Sequence, residues 1–231
     1  KIRKGDMDKG WNDSDVTVEG RFRIPQAAHC YMETKTAAAE IMGSGSIEVE
    51  ASSQGPQGVK ELMEAAFHLN EGRININTSY VGGSYGGKVN PHPEMLAYIA
   101  SRAVGGKKVS LVFSREQCFI SVGSRMGASC TLKMGAKKDG RITALEARYH
   151  LDTGAYADTG PRMALAAATS TGEPYDIPNI QTDSLCIYTN HVYSTSFRGF
   201  GHDTSIFCVE RMMDKMAKAL QMDALELRRV N

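Results

Sequence analysis

Residues 130–151 read CTLKMGAKKDGRITALEARYHL. Two runs of apolar–polar alternation flank KKDG at 137–140, and Asp139-Gly140 is the pair that suits a tight hairpin turn with positive φ. Period-two alternation puts one face of a strand on a core and leaves the other wet. The stretch therefore predicts two antiparallel strands, 130–136 and 141–151. Long antiparallel strands among interleaved helices argue for α+β, with mixed sheets, over a doubly wound parallel sheet.

The same alternation recurs at 16–24 (VTVEGRFRI), 46–52 (SIEVEAS), 73–79 (RININTS) and 107–113 (KKVSLVF). Helices alternate with these strands. In 57–69, Val59, Leu62, Met63 and Ala66 fall on one face, and Gly55-Pro56 marks a start. A shorter candidate covers 93–104. In 204–220, Ile206, Val209, Met213, Met216 and Leu220 recur at helical spacing. Asp223 with Glu226 has the pattern of a capping box for a last short helix.

A chain of 231 residues can bury a sizeable core, as one large domain or two small ones. Its 27 basic and 26 acidic residues leave no bulk field to draw nucleic acid or an anionic membrane. No apolar run reaches bilayer length, and no signal-peptide pattern is visible, although Lys1 is not a natural start. Five scattered cysteines form no CxxC pair and six histidines no HxxxH or HExxH pair, so a metal held by protein ligands has no support. The cysteines read as reduced thiols in the core of a cytoplasmic protein, and the twelve methionines as core filler.

Glycine is densest at 80–90, YVGGSYGGKVN. Such density marks backbone conformations closed to other residues, or a close approach to the main chain. Gly82 to Val89 nearly matches a nucleotide-phosphate loop, but Val89 has no hydroxyl for magnesium. Pro91 and Pro93 also stand where a phosphate-binding helix needs free N–H groups. The dinucleotide fingerprint fails at Ser84, which replaces its second glycine. Two further stretches bear on the loop. In ASSQGPQG (51–58) a strand ends in Ser-Ser-Gln before a helix. In STSFRGFGHD (194–203) an arginine stands between two aromatics at a helix start, where unsatisfied N–H groups and partial positive charge suit an anion.

Together these motifs resemble the molybdenum-cofactor subunit of the xanthine dehydrogenase and aldehyde oxidase family of molybdenum hydroxylases. The resemblance covers essentially the whole chain: VTVEGRFRIPQAAHCYMET (16–34), the SSQ turn, VGGSYGGK (81–88), EPYDIPNI (173–180), FRGFG (197–201) and LELRRVN (225–231). It implies that 1–231 is the first of two molybdopterin-binding halves of a larger subunit. The partners it implies are the second half, iron–sulfur and FAD subunits or domains, and a small-molecule substrate. The implied cofactor is a molybdopterin-type molybdenum cofactor, a pyranopterin with or without its cytosine dinucleotide extension, whose metal is held by the pterin dithiolene.

The resemblance also assigns roles. Gln54 matches the glutamine that hydrogen-bonds an oxygen ligand of molybdenum. Tyr85 and Gly86 match the Phe-Gly pair whose backbone approaches that ligand, as preorganised N–H donors. Arg198 matches an arginine near the cofactor, and Phe200 an aromatic that packs on the substrate ring. The family's general base belongs to a GxGE-type motif of the second half, with no counterpart here. The implied reaction is oxidation of an aldehyde or N-heteroaromatic compound with water as oxygen source. Xanthine-oxidising members carry a glutamate after GGK, where this chain has Val89. They also carry an arginine ahead of Tyr-x-Ile-Pro-Asn, at a position that falls near Ala166 here, with Arg162 close by. Other departures are Tyr85 for phenylalanine, Ser84 for glycine, and His202-Asp203-Thr204 for Gly-Pro-Gln. The competing readings are a non-catalytic homologue that has lost the cofactor and a nucleotide-binding protein.

Overall fold

The computed structural model describes residues 1–231. In chain order the elements are β1 (Ile2–Lys4), α1 (Met7–Asn12), β2 (Val16–Ile24), β3 (Thr36–Ile41), β4 (Ile47–Ala51), α2 (Pro56–Phe67), β5 (Ile74–Asn77) and α3 (Pro93–Ala103). There follow β6 (Val109–Val112), α4 (Arg115–Ser121), β7 (Gly127–Ala136), β8 (Ile142–Gly154), α5 (Gly160–Thr169), β9 (Ile180–Tyr188), α6 (His202–Leu220) and α7 (Ala224–Val230). The α+β class is as the sequence predicts. No helix is long and apolar enough to cross a membrane.

The chain divides into two compact units. One comprises residues 1–27, 126–194 and 199–231; the other comprises 28–125 and 195–198. The first unit is built on a five-stranded sheet ordered β1-β9-β8-β7-β2. The hairpin at its centre pairs Met134 with Leu145 and Cys130 with Tyr149, and β8 continues in parallel with β9. Tyr149, His150 and Leu151 keep the buried–exposed alternation, whereas Ile142 to Leu145 are buried throughout. There α1 lies against β8: a Cβ on Gly10 would stand 3.0 Å from the Ala144 methyl and the Thr143 carbonyl. Asn231 closes the hairpin, accepting from the Ile142 N–H (2.8 Å) and donating to the Gly140 carbonyl (2.8 Å).

Helix α6 covers β2 and β7. Its buried stripe runs through Cys208, Val209, Met212, Met213, Met216 and Ala217, while Ile206 is 43% exposed. Val209, Met213 and Met216 of the expected face are buried and Leu220 packs against the core, so only Ile206 departs; Cys208, Met212 and Ala217 widen the stripe, as a helix lying flat on a sheet requires. Arg228 of α7 grips α6 through Glu210 (2.7 Å) and Asp214 (2.9 Å).

The second unit is a four-stranded sheet ordered β5-β4-β3-β6, with β4 and β5 parallel and the other pairs antiparallel. Its core joins Ala39 and Val49 to Val59, Met63, Ala97 and Tyr98 of α2 and α3. Here too one expectation is corrected. Val59 and Met63 are buried and Phe67 packs beside them, but Leu62 and Ala66 are exposed. The helix meets the sheet along a narrow i, i+4, i+8 line.

Three cysteines, Cys118, Cys130 and Cys208, are buried as expected, whereas Cys30 is exposed and Cys186 only partly covered; all five are free thiols. Methionines 63, 126, 134, 163, 212, 213 and 216 are in the core, but Met32 is 94% exposed.

Candidate functional site

The site residues expected from the sequence fall mainly in the second unit. Strand β4 ends at Ala51 and is followed by Ser52-Ser53-Gln54, and Pro56 starts α2 two residues after Gln54. Both Gln54 N–H (3.1 Å) and Ser53 Oγ (3.3 Å) donate to the Lys88 carbonyl, which ties this turn to the end of the glycine run. The Gln54 side chain then folds onto the run. Its Oε1 accepts from the Gly86 N–H at 2.9 Å and from the Ser84 hydroxyl. A backbone N–H can only donate, so the atom facing Gly86 is the oxygen, and Nε2 is the end turned away.

The glycine run owes its composition first to this chain's own close approaches. Tyr85 has φ 54° and Gly86 φ 106°. A Cβ on Gly86 would collide with the Ser196 carbonyl and stand 2.9 Å from Ser196 Oγ; one on Gly87 would stand 2.7 Å from the Tyr31 ring. Four of the run's N–H groups are used internally. Gly82 donates to Glu33 (2.8 Å), Gly86 to Gln54, Gly87 to the Ser84 carbonyl (2.9 Å) and Lys88 to Ser84 Oγ (3.2 Å). A phosphate loop needs those donors free, which is a physical reason against the nucleotide reading. The Gly86 N–H, expected to face a ligand oxygen, faces Gln54 instead.

Both ends of the run converge on one carboxylate. Glu33 Oε2 takes the Gly82 N–H and the Lys88 ammonium (2.6 Å), and Lys88 is fully buried, 4.9 Å from the Tyr31 ring centroid. Burial works against ionisation of Glu33, but the Lys88 and Gly82 bonds outweigh it and hold its pKa below the usual range.

Residues 195–198 pack on the same loop. The Arg198 N–H donates to the Tyr85 carbonyl at 2.9 Å, leaving the guanidinium on an exposed side chain. His29 donates from Nε2 to the Ser196 carbonyl (2.8 Å), and its ring stacks on Phe197 with centroids 4.4 Å apart. Burial, with Arg125 and Lys35 adding positive charge nearby, pushes the His29 pKa down; the Ser196 bond only partly offsets this. The imidazole is therefore neutral, with its proton on Nε2.

Gln54 and Arg198 are thus anchored on adjacent loop residues, Gly86 and Tyr85. Each offers N–H donors outward, a set suited to an oxygen-rich or anionic group. Val89 follows the loop and is half-buried. Phe200 belongs to the first unit, where it has φ 48° and packs, partly buried, against that unit's core. Sequence reasoning assigned no roles to Glu33, His29 and Arg125. The first two lie inside a quoted motif, PQAAHCYMET, whereas Arg125 lies in no motif at all.

The pattern described as the molybdopterin cofactor-binding domain matches residues 1–231. Among curated proteins, the chain is similar to a probable xanthine dehydrogenase subunit of Bacillus subtilis (strain 168). The two are 33% identical over 233 residues, covering 98% of this chain and 30% of the relative. It is also similar to the nicotinate dehydrogenase large molybdopterin subunit of Eubacterium barkeri, 32% identical over 234 residues, covering 100% and 54%. Among solved structures, the aldehyde oxidoreductase from Desulfovibrio gigas superposes with a TM-score of 0.95 at 33% identity, over 100% of this chain and 25% of that one. The chain spans between about a quarter and about half of these relatives' lengths.

Proposed function

The chain belongs to the molybdopterin cofactor-binding domain family, and on that premise we propose that it forms the first of two cofactor-binding halves in the large subunit of a molybdenum hydroxylase. The observation that carries this reading is the Gln54 amide, whose oxygen is held by Gly86 and Ser84 so that its Nε2 donors are presented outward.

The donor set fits the group. Gln54 Nε2 and the Arg198 guanidinium would hold oxygen atoms of a molybdopterin-type cofactor, as the pyranopterin or its cytosine dinucleotide. When bound, that group supplies the activated oxygen and accepts the electrons. The chain's own residues orient. Gln54 gives a preorganised donor that costs no rearrangement during reaction, and Arg198 pairs with negative charge. Val89 is the substrate-side residue that this reading uses. The general base belongs to the second half, and iron–sulfur and FAD modules carry electrons onward, in a cytoplasmic enzyme.

The Val89 side chain offers no hydrogen bond to a polar purine, and each buried contact left unmade costs about 1–3 kcal/mol. The substrates are therefore aldehydes or less polar N-heteroaromatic compounds, with xanthine a poor one. The test uses the full-length subunit assembled with its partners. We expect about one molybdenum per subunit, a higher kcat/KM for an aldehyde or simple heterocycle than for xanthine, and Gln54→Ala turnover about 10- to 1000-fold lower at unchanged molybdenum content. A protein without molybdenum overturns the proposal. A preference for xanthine over every aldehyde and simple heterocycle tested overturns the substrate assignment alone.

A further inference from the structure

We infer that Ser84 is a positioning residue that fixes the orientation of the Gln54 amide; its catalytic consequence rests on the proposed function. Gln54 is exposed, and an exposed glutamine samples several rotamers unless its amide is held. One holder is the Gly86 N–H, at 2.9 Å from Oε1. The second is the Ser84 hydroxyl, which donates to the same oxygen. Ser84 Oγ in turn accepts from the Lys88 N–H at 3.2 Å, while the Ser84 carbonyl accepts from the Gly87 N–H at 2.9 Å. The hydroxyl's one proton is therefore committed to Gln54, and its oxygen is pinned by a backbone whose lysine side chain is fully buried. Two donors converging on Oε1 leave the amide one orientation, with Nε2 outward. A glycine at position 84, as the resemblance would have it, supplies no hydroxyl and only half of this clamp. Position 84 has an ordinary negative φ, so alanine and threonine are both accessible to its backbone.

The test compares crystal structures and turnover of the assembled, molybdenum-loaded protein as wild type, Ser84→Ala, Ser84→Thr, Gln54→Ala and the double variant Ser84→Ala/Gln54→Ala. Molybdenum content and melting temperature are recorded for each. In Ser84→Ala the Gln54 side chain leaves Gly86 or splits between rotamers, and in Ser84→Thr it stays in place. Turnover per molybdenum falls about three- to tenfold in Ser84→Ala, the scale of one lost hydrogen bond, and returns in Ser84→Thr. In the Gln54→Ala background the Ser84 change adds nothing. A single, unmoved Gln54 conformer in Ser84→Ala overturns the inference, as does an equal loss of turnover with and without Gln54. Undiminished turnover of Gln54→Ala would instead count against the proposed role of Gln54 at the metal; the crystal comparison still decides whether Ser84 holds it.

Discussion

Arg125 places its guanidinium 4.1 Å from the centroid of the Phe197 ring and donates from Nη2 to the Arg198 carbonyl at 2.9 Å. One side chain thus restrains two consecutive residues of the segment that carries the exposed Arg198. Its planar, multi-donor fork permits stacking and hydrogen bonding at once. Arg125→Ala is expected to lower the unfolding free energy by about 1–3 kcal/mol and to speed proteolysis near Arg198. Arg125→Lys should recover less than half of that loss. Denaturant titration and limited proteolysis of the three proteins measure both effects.

His29 sets a pH dependence. Its pKa in the fold lies below the ordinary value, because burial and nearby cations disfavour the imidazolium. Between the ordinary histidine pKa, about 6.5, and the lower folded value, the unfolded chain binds more protons than the native one. Stability is therefore fully present above about 6.5 and falls as pH drops through that window. Denaturation midpoints at pH 7.5 and 5 should diverge in the wild type and diverge less in His29→Gln; equal divergence would assign the acid sensitivity to other groups.

Glycine substitutions should separate strain from crowding. Gly72 has φ 82° and open space where a Cβ would stand, so Gly72→Ala incurs only backbone strain, about 1 kcal/mol. Gly86 has φ 106°, with the Ser196 backbone in the way and Ser196 Oγ at 2.9 Å. Gly86→Ala should cost about 2–4 kcal/mol and loosen residues 195–198 as well. Equal melting temperatures for the two variants would contradict this ordering.

The pair Glu33–Lys88 should respond asymmetrically. Lys88 is fully buried and Glu33 one-third exposed. Removing Glu33 strands a buried ammonium and frees the Gly82 N–H, so Glu33→Ala is expected to cost about 2 kcal/mol or more. Lys88→Met removes the charge together with its desolvation cost and leaves a carboxylate that water can reach. Its loss should be smaller, and chemical denaturation of both variants decides the order.

Residues 130–151 and the alternating runs at 16–24, 46–52, 73–79 and 107–113 all lie where strands form, because each is half-buried and its period survives in the sequence. Strand β3, TAAAEI, carries no such signal. Its alanines favour helix in isolation, and only its place between β4 and β6 makes it a strand. The Ala-rich α5, the short β1 and α1, and β9 carry no periodicity strong enough to read as elements, whereas α4 is announced only by its capping pair Ser114 and Gln117. Gln54, Tyr85, Gly86 and Arg198 are singled out in the sequence because each stands in a motif. The direction of the Gln54 amide is not legible there, since it depends on a serine 30 residues away. Nor is the clamp of Glu33 on Gly82 and Lys88, or that of Arg125 on Phe197 and Arg198. Local sequence determines periodicity, caps and turns through interactions within a few residues. Which donor meets which acceptor across 30 to 73 positions is decided only when the chain folds and buried polar groups must find partners.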